Sequence, residues 1–255
     1  MARHSKTMKA PHDWHKSFFR NSFYNPASEA AVAMATSEAA FILKQLKLKK
    51  GSALLDLCCG PGRHAVEFAK RGLNVTGFDF SGEYLAEAAA RAKKKKTPLR
   101  LVRGDMRRLK FNGEFDAAVN LFTSFGYFLK FSDDIKTLKG VAKALKPGGL
   151  FLVDVVSGEY VRAHFNPGPW QDMGDHYLLE EIELGKDGTH CTWTTVSKKK
   201  GLTGKRTFFT RLYNKKRLGA ALKLAGLRPL KFWGDFSGRP LSPERNRLIC
   251  LAKKA

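Results

Sequence analysis

The stretch LLDLCCGPGRHAVEFA (Leu54 to Ala69) decides the fold. Its apolar run reads as a strand, Gly60-Pro61-Gly62 as a tight loop, and RHAVEFAKRG as the helix onto which the loop empties. Glycines at 60 and 62 remove the Cβ atoms that would hold a ligand away from the backbone, and a helix N-terminus follows. Cys58 and Cys59 lie inside this turn. Adjacent cysteines ligate one ion poorly and no His/Cys cluster lies nearby, so the pair reads as packing and no metal is expected.

Downstream, the same strand-then-helix unit recurs. LNVTGFDF (73–80) is a second strand, and SGEYLAEAAARAKKKK a helix opened by a Ser cap. LRLVRGDM (99–106) and FDAAVNLF (115–122) follow as strands. Helix DDIKTLKGVAKALK stops at the breaker PGG (147–149), and GLFLVDVV (149–156) is a fifth strand. Strands this continuously apolar suit a parallel sheet covered on both faces by helices. The pattern then changes. YLLEEIEL (177–184), THCTWTTVS (189–197) and KRTFFTRLY (205–213) alternate like an antiparallel meander, with Trp193, Phe208 and Phe209 as its core. Helix NKKRLGAALKLAG (214–226) and strands PLKFWGDF (229–236) and RLICLAKK (247–254) return to the first pattern.

Four units result: an N-terminal helical cap (1–50, with a helix over 27–46), a Rossmann-like core (51–156), an antiparallel insert over the substrate (157–213), and the completion of the core (214–255). No apolar run is long enough to cross a bilayer, and the basic N-terminus has no signal-peptide pattern. Four cysteines without a CxxC pair suit reduced thiols, so a cytoplasmic protein is expected. Forty-six Lys and Arg against 23 Asp and Glu leave a net charge of +23. Such a surface attracts polyanions, RNA included. The lysines are spread along the chain, however, and no aromatic-interleaved basic motif of an RNA-binding module is present.

The loop's chemistry depends on its acids. Asp79 ends the second strand, 19 residues beyond Gly60, where a carboxylate can accept both hydroxyls of a ribose. GPGRHA (60–65) formally matches a dinucleotide-binding loop, so a nicotinamide cofactor competes. Asp56, just before the loop, argues otherwise. A carboxylate there suits the ammonium of a methionyl group and would repel a pyrophosphate. Asp105, ending the third strand in GDM, is placed for an adenine amino group, and Met106 for the adenine face. Arg63 and His64 either face a cofactor carboxylate or solvate the helix start.

Together LDLCCGPGRHA, VTGFDFS, LVRGDMRRL, FDAAVNLFTSFGYF and LKPGGLFLVDVV resemble the class I S-adenosylmethionine-dependent methyltransferases, over roughly residues 14–255. The wording CCGPGRHA with NLFTSFGYF, RLY and WGDFSG is similar to a bacterial small-molecule-type group with an antiparallel insert after the fifth strand. The resemblance implies an α/β fold with a seven-stranded, mostly parallel sheet whose last strand is antiparallel. It also implies a pocket capped by insert and N-terminal segment, with S-adenosyl-L-methionine as donor and S-adenosyl-L-homocysteine as product. The expected cofactor contacts are Tyr24, Asp56, Cys58, Gly60, Pro61, Gly62, Arg63, Asp79, Phe80, Asp105, Met106, Asn120 and Leu121. Phe23 and Tyr24 would form a lid whose ring faces favour a sulfonium.

Ligands in open α/β sheets lie beyond the carboxyl ends of the strands, so Asn120 to Tyr127 should border the transferred methyl. Phe125, Tyr127, Arg211, Tyr213, Asp235 and Arg239 are the expected substrate contacts. Tyr127, Tyr213 and His164, with His176 behind them, are the candidate proton acceptors. The (Asp/Asn)-Pro-Pro-aromatic signature of base-modifying relatives is absent from NLFTSFGYF, as is a Pro-Cys nucleophile. The expected activity is methyl transfer to a nitrogen or oxygen of a small molecule. An RNA or ribosomal-component methyltransferase, and a non-catalytic S-adenosylmethionine-binding protein, stand as alternatives.

Overall fold

The computed structural model describes residues 9–19, 26 and 28–255. Strands β1 (Ala53–Leu57), β2 (Asn74–Asp79), β3 (Arg100–Arg103), β4 (Phe115–Asn120) and β5 (Leu145–Val156) pair in parallel in the order β3-β2-β1-β4-β5. The chain then builds a separate antiparallel meander from β6 (Trp170–Asp172), β7 (His176–Leu184), β8 (Gly188–Ser197) and β9 (Gly201–Arg211). Finally β10 (Leu227–Trp233) and β11 (Arg247–Lys254) extend the first sheet as β5-β11-β10, with β11 antiparallel to both neighbours. The helices are α1 (His15–Phe18), α2 (Glu29–Leu46), α3 (Arg63–Lys70), α4 (Gly82–Lys94), α5 (Phe131–Ala144), α6 (Gly158–Ala163) and α7 (Lys215–Leu224). None is long and apolar enough to cross a membrane. The fold is thus the Rossmann-like sheet with an antiparallel last strand and an added antiparallel sheet.

Strand alternation assigns the two faces. In β1, Leu55 and Leu57 pack with α5 and α7 through Leu138, Val141, Leu218 and Leu222. Leu54 points the other way, onto Ile42 of α2 and Phe68 of α3. Each such fully buried leucine contributes about 1.5–3 kcal/mol of burial free energy. Asp56 has the parity of Leu54, which brings it under the first turn of α3, where Arg63, His64 and Ala65 are buried.

Local chemistry sets the helix ends. Ser81 caps α4 by accepting from Tyr84 N–H at 3.3 Å, and Ser28 caps α2 from Ala31 N–H at 3.4 Å. α5 ends at Ala144, ahead of PGG (147–149), and the chain joins the sheet at Leu145, four residues sooner than expected. The register between β4 and β5 shifts there, so Lys146 to Gly149 form a bulge inside the strand. α1 and β6, four and three residues long, carry too little periodicity to be read from sequence. The insert leaves at Ser157 and returns at Tyr213, where the two residues are bridged and Gly158 N–H donates to Tyr213 O at 2.8 Å. Trp14 and Phe18 of the α1 segment pack with Phe209 of β9, so this segment and the insert close over the same edge of the core.

Candidate functional site

A cavity of about 1020 Å³, counting its open mouth, lies at the carboxyl ends of β1, β2 and β4. The loop after β1 forms its floor. Gly62 adopts φ +76°, and a Cβ there would stand 2.8 Å from Ala88 Cβ, so glycine lets the start of α3 touch α4. Gly77 of β2 serves the cysteines: a Cβ there would meet Cys59 Sγ at 2.9 Å. Cys59 is therefore packing. Cys58 lines the cavity at φ +61°, and burial, then Asp79 and Asp56, raise its thiol pKa, which disfavours a thiolate.

Asp79 ties the loop together. Its Oδ2 accepts from Gly60 N–H at 2.9 Å and its Oδ1 from Ser81 N–H at 2.8 Å. A carboxylate has about four acceptor positions, so both oxygens keep capacity for a ligand's hydroxyls. Burial raises its pKa, against the pull of these donors. Asp56, 3% exposed, has no hydrogen-bond partner for Oδ2 among the described residues. Burial first, and Asp79 second, push its carboxyl up to about 7. A buried carboxyl with one unpartnered oxygen beside a second acid suits a cationic ligand group. These two carboxyl acceptors fit the ammonium and ribose hydroxyls of S-adenosylmethionine and do not fit a pyrophosphate.

Arg63 and His64 are fastened to α2 instead of solvating the start of α3. Arg63 Nη1 donates to Ala31 O at 2.7 Å and to Glu38 Oε2 at 3.4 Å, and its guanidinium lies 4.0 Å from the Phe122 ring centre. His64 Nε2 meets Glu38 Oε2 at 2.6 Å. Burial lowers the His64 pKa, so a neutral ring donates to an ionised Glu38. Both side chains also line the cavity.

At the other end of the cavity stand Phe80, Asp105 and Met106. Asp105 is already engaged: Arg107 Nε lies 3.0 Å from both carboxylate oxygens, and Nη2 is 2.6 Å from Oδ2. Burial would raise its pKa, but Arg107 outweighs that and holds it below the usual range. Met106 Sδ contacts Cys58 Sγ at 3.4 Å. His15 closes this end, edge-on to Phe80 at 5.5 Å and Phe128 at 6.3 Å. Burial, then Arg107, lowers its pKa and keeps the ring neutral.

Gly60, Pro61, Leu121 and Tyr127 line the cavity, and Tyr127 packs against Trp14 (5.2 Å) and Phe19 (5.4 Å). Several other expected site residues lie elsewhere. Asn120 is buried behind the wall, its Nδ2 donating to Leu57 O at 3.0 Å. Phe125 turns inward and stacks on Tyr213 at 5.3 Å. Tyr213 is fully buried and donates to Asp134 Oδ2 at 2.7 Å, and burial and Asp134 drive its pKa up, so it stands away from the cavity as a neutral phenol. Arg211 is also consumed inside, with Nε on Asp134 Oδ2 at 2.7 Å and Nη2 on the carbonyls of Phe128 and Leu129. These two residues hold the loop that carries Tyr127 rather than touching substrate. His164 faces a second cavity between α6 and the insert, stacked on Tyr160 and paired with Glu244 at 3.1 Å. His176 bonds its neighbour Asp175 at the start of β7. Asp235 and Arg239 pair with each other at 2.5 Å and line neither cavity. Tyr24 and Phe23 lie outside the described residues.

Phe122 lies within the 120–127 stretch expected to border the methyl, whereas His15, Phe19 and Phe128 were not singled out from the sequence as wall residues. Phe122 and Thr123 both adopt φ +60° immediately after β4. Phe122 N–H donates to Asp154 Oδ2 at 2.8 Å and Thr123 N–H to Asp154 O at 3.0 Å, which holds that strained turn at the rim.

Residues 54–149 match the family described as a methyltransferase domain. The chain is 28% identical over 222 residues, 83% of its length and 87% of the other's, to the putative methyltransferase YqeM of Bacillus subtilis. It is 34% identical over 122 residues to a glycine/sarcosine N-methyltransferase of Halorhodospira halochloris, matching 47% of this chain and 46% of that protein. The chain thus spans less than half of that second relative. Among solved structures, an S-adenosylmethionine-dependent methyltransferase from Clostridium acetobutylicum superposes with a TM-score of 0.77 at 22% identity, covering 86% of this chain and 91% of that one. That likeness is one of fold.

Proposed function

We propose that this chain, a class I S-adenosylmethionine-dependent methyltransferase by its domain and fold, methylates a nitrogen or oxygen of a small molecule. The observation that carries the acceptor class is the enclosure of the cavity. His15 and Phe19 of the α1 segment and Leu121, Phe122, Tyr127 and Phe128 of the loop after β4 wall the cavity, and Trp14, itself packed on the insert, backs Phe19 and Tyr127. The name of the Halorhodospira relative, an N-methyltransferase of glycine and sarcosine, favours nitrogen.

When bound, S-adenosylmethionine supplies an electrophilic methyl carried by a sulfonium. Asp56 would hold the ammonium, Asp79 the ribose hydroxyls, and Phe80 with Met106 the adenine. The aromatic wall of Phe19, Phe122 and Tyr127 excludes water and offers ring faces to positive charge. Of the expected proton acceptors, only Tyr127 stands in the cavity wall, and its hydroxyl would relay the acceptor's proton, releasing its own O–H proton to solvent at the mouth as it receives that one. A panel of small amines and hydroxy compounds, read by S-adenosylhomocysteine release with Asp79→Ala as the blank, tests this reading. Turnover on at least one small acceptor is expected. Turnover on RNA alone would overturn it.

A further inference from the structure

The parallel strands β1–β5 all begin at one edge of the sheet, and the cavity lies at the other. Each crossover helix carries the chain back to the starting edge, so α2, α3, α4 and α5 all end there. The cations that look scattered in sequence collect at these ends. α2 runs into KQLKLKK (44–50), α4 into KKKK (93–96), α5 into Lys143 and Lys146, and the antiparallel β11 finishes at the same edge in Lys253. The pieces touch: Gly51 N–H donates to Gly72 O beyond α3, the Lys50 stem lies on Gly72, and the Lys253 stem lies on Gly148.

The acids at this edge are already neutralised. Glu67 pairs with Lys70 and Arg71, Glu114 with Arg100, and Asp116 with Lys146. The lysines of 44–50 and 93–96 are exposed and have no ion-pair partner among the described residues. Helix dipoles favour cations in a last turn. They give no reason for Lys49, Lys50, Lys95 and Lys96, which lie beyond the helices.

The form of the face selects its partner. Neither lysine run contains an aromatic residue on which single-stranded bases could stack. Helices meet the face end-on, so none lies flat as a membrane-surface helix would, and none projects to read a DNA major groove. A row of ammonium groups on a broad face matches the phosphates flanking the wide, shallow groove of A-form RNA. We propose that this edge docks double-helical RNA through its phosphates. Strands of five or six residues, at about 3.3 Å each, hold it ~15–20 Å from the cavity, so the docked RNA is a tether and not the methyl acceptor.

Fluorescence anisotropy with a labelled RNA duplex of about 20 base pairs tests this, because micromolar binding near ~0.1 M salt is ordinary for phosphate-driven contact. The face variant carries Lys93→Glu, Lys94→Glu, Lys95→Glu and Lys96→Glu. A control with the same charge change carries Lys199→Glu, Lys200→Glu, Lys215→Glu and Lys216→Glu, away from the face. The face variant should bind at least ~10-fold more weakly and its salt slope should fall by about 3, since each phosphate contact contributes ~0.9. The control should stay within about threefold. Unchanged S-adenosylhomocysteine binding and melting in both variants shows that folding is intact. Equal losses in the two variants, no duplex binding by the unmodified protein, tighter binding to DNA duplex or to anionic phospholipid vesicles, or methyl label on the docked RNA would each overturn the proposal. Duplex binding is read without methyl transfer, so its failure is distinguishable from failure of the small-molecule reading.

Discussion

Replacing Asp56 by Asn separates the cost of this carboxylate from its use. In the unfolded chain Asp56 ionises near 3.8, and in the folded chain only near about 7, because it is buried beside Asp79. The native state binds the extra proton between those values, so stability is lost as pH rises through that window and levels off above about 7. At ~1.4 kcal/mol per pH unit, the penalty grows by about 2 kcal/mol between pH ~5.5 and pH ~8.5. Asn has the same shape and no charge, so Asp56→Asn should gain about 2 kcal/mol more over the unmodified protein at the higher pH. For a domain of this size that widens the gap in Tm by ~4–8 °C. Differential scanning calorimetry of the two ligand-free proteins at the two pH values reads it directly. The same variant should bind S-adenosylhomocysteine more weakly. Affinity of the unmodified protein should fall by ~25-fold from pH ~7.5 to pH ~5.5, as a carboxylate ionising near about 7 is protonated. A Tm gap that is equal at both pH values, or unchanged ligand affinity in Asp56→Asn, would refute the reasoning.

The other predictions concern neighbouring parts of the site. Asp79→Ala should weaken S-adenosylhomocysteine by about 1.5–3 kcal/mol in titration calorimetry, the usual range for charged hydrogen bonds, and NAD should give no heat of binding. Tyr213→Phe removes the bond to Asp134 and should lower stability by about 1–3 kcal/mol while ligand affinity holds. Loss of turnover at unchanged Tm would instead return Tyr213 to the chemistry. Gly62→Ala forces a Cβ into Ala88 at positive φ and should cost about 1–3 kcal/mol or more, seen as a lower urea midpoint.

Where sequence reading succeeded, local pattern and tertiary role coincide. The strand, glycine loop and helix of 54–69, and the acids Asp56 and Asp79, announce themselves because a β–loop–α turn leaves few positions free to meet a ligand. Arg211, the last residue of β9, and Tyr213, two residues beyond it, were read as pocket residues, whereas both turn inward onto Asp134. Their partner Asp134 lies 77 and 79 residues away, beyond any local signal. His15 and Phe19 were missed because a four-residue helix has no period to read, and its docking on the insert is purely tertiary. The lysines looked evenly spread for a related reason: helix returns in a parallel sheet bring separated segments to one edge.

The most direct test of the account is to supply the protein with S-adenosylmethionine bearing a deuterated methyl, together with a fractionated cell extract, and to follow the label by mass spectrometry. The account predicts label on the nitrogen or oxygen of a low-mass compound, abolished by Asp79→Ala. Label confined to RNA or protein would contradict it.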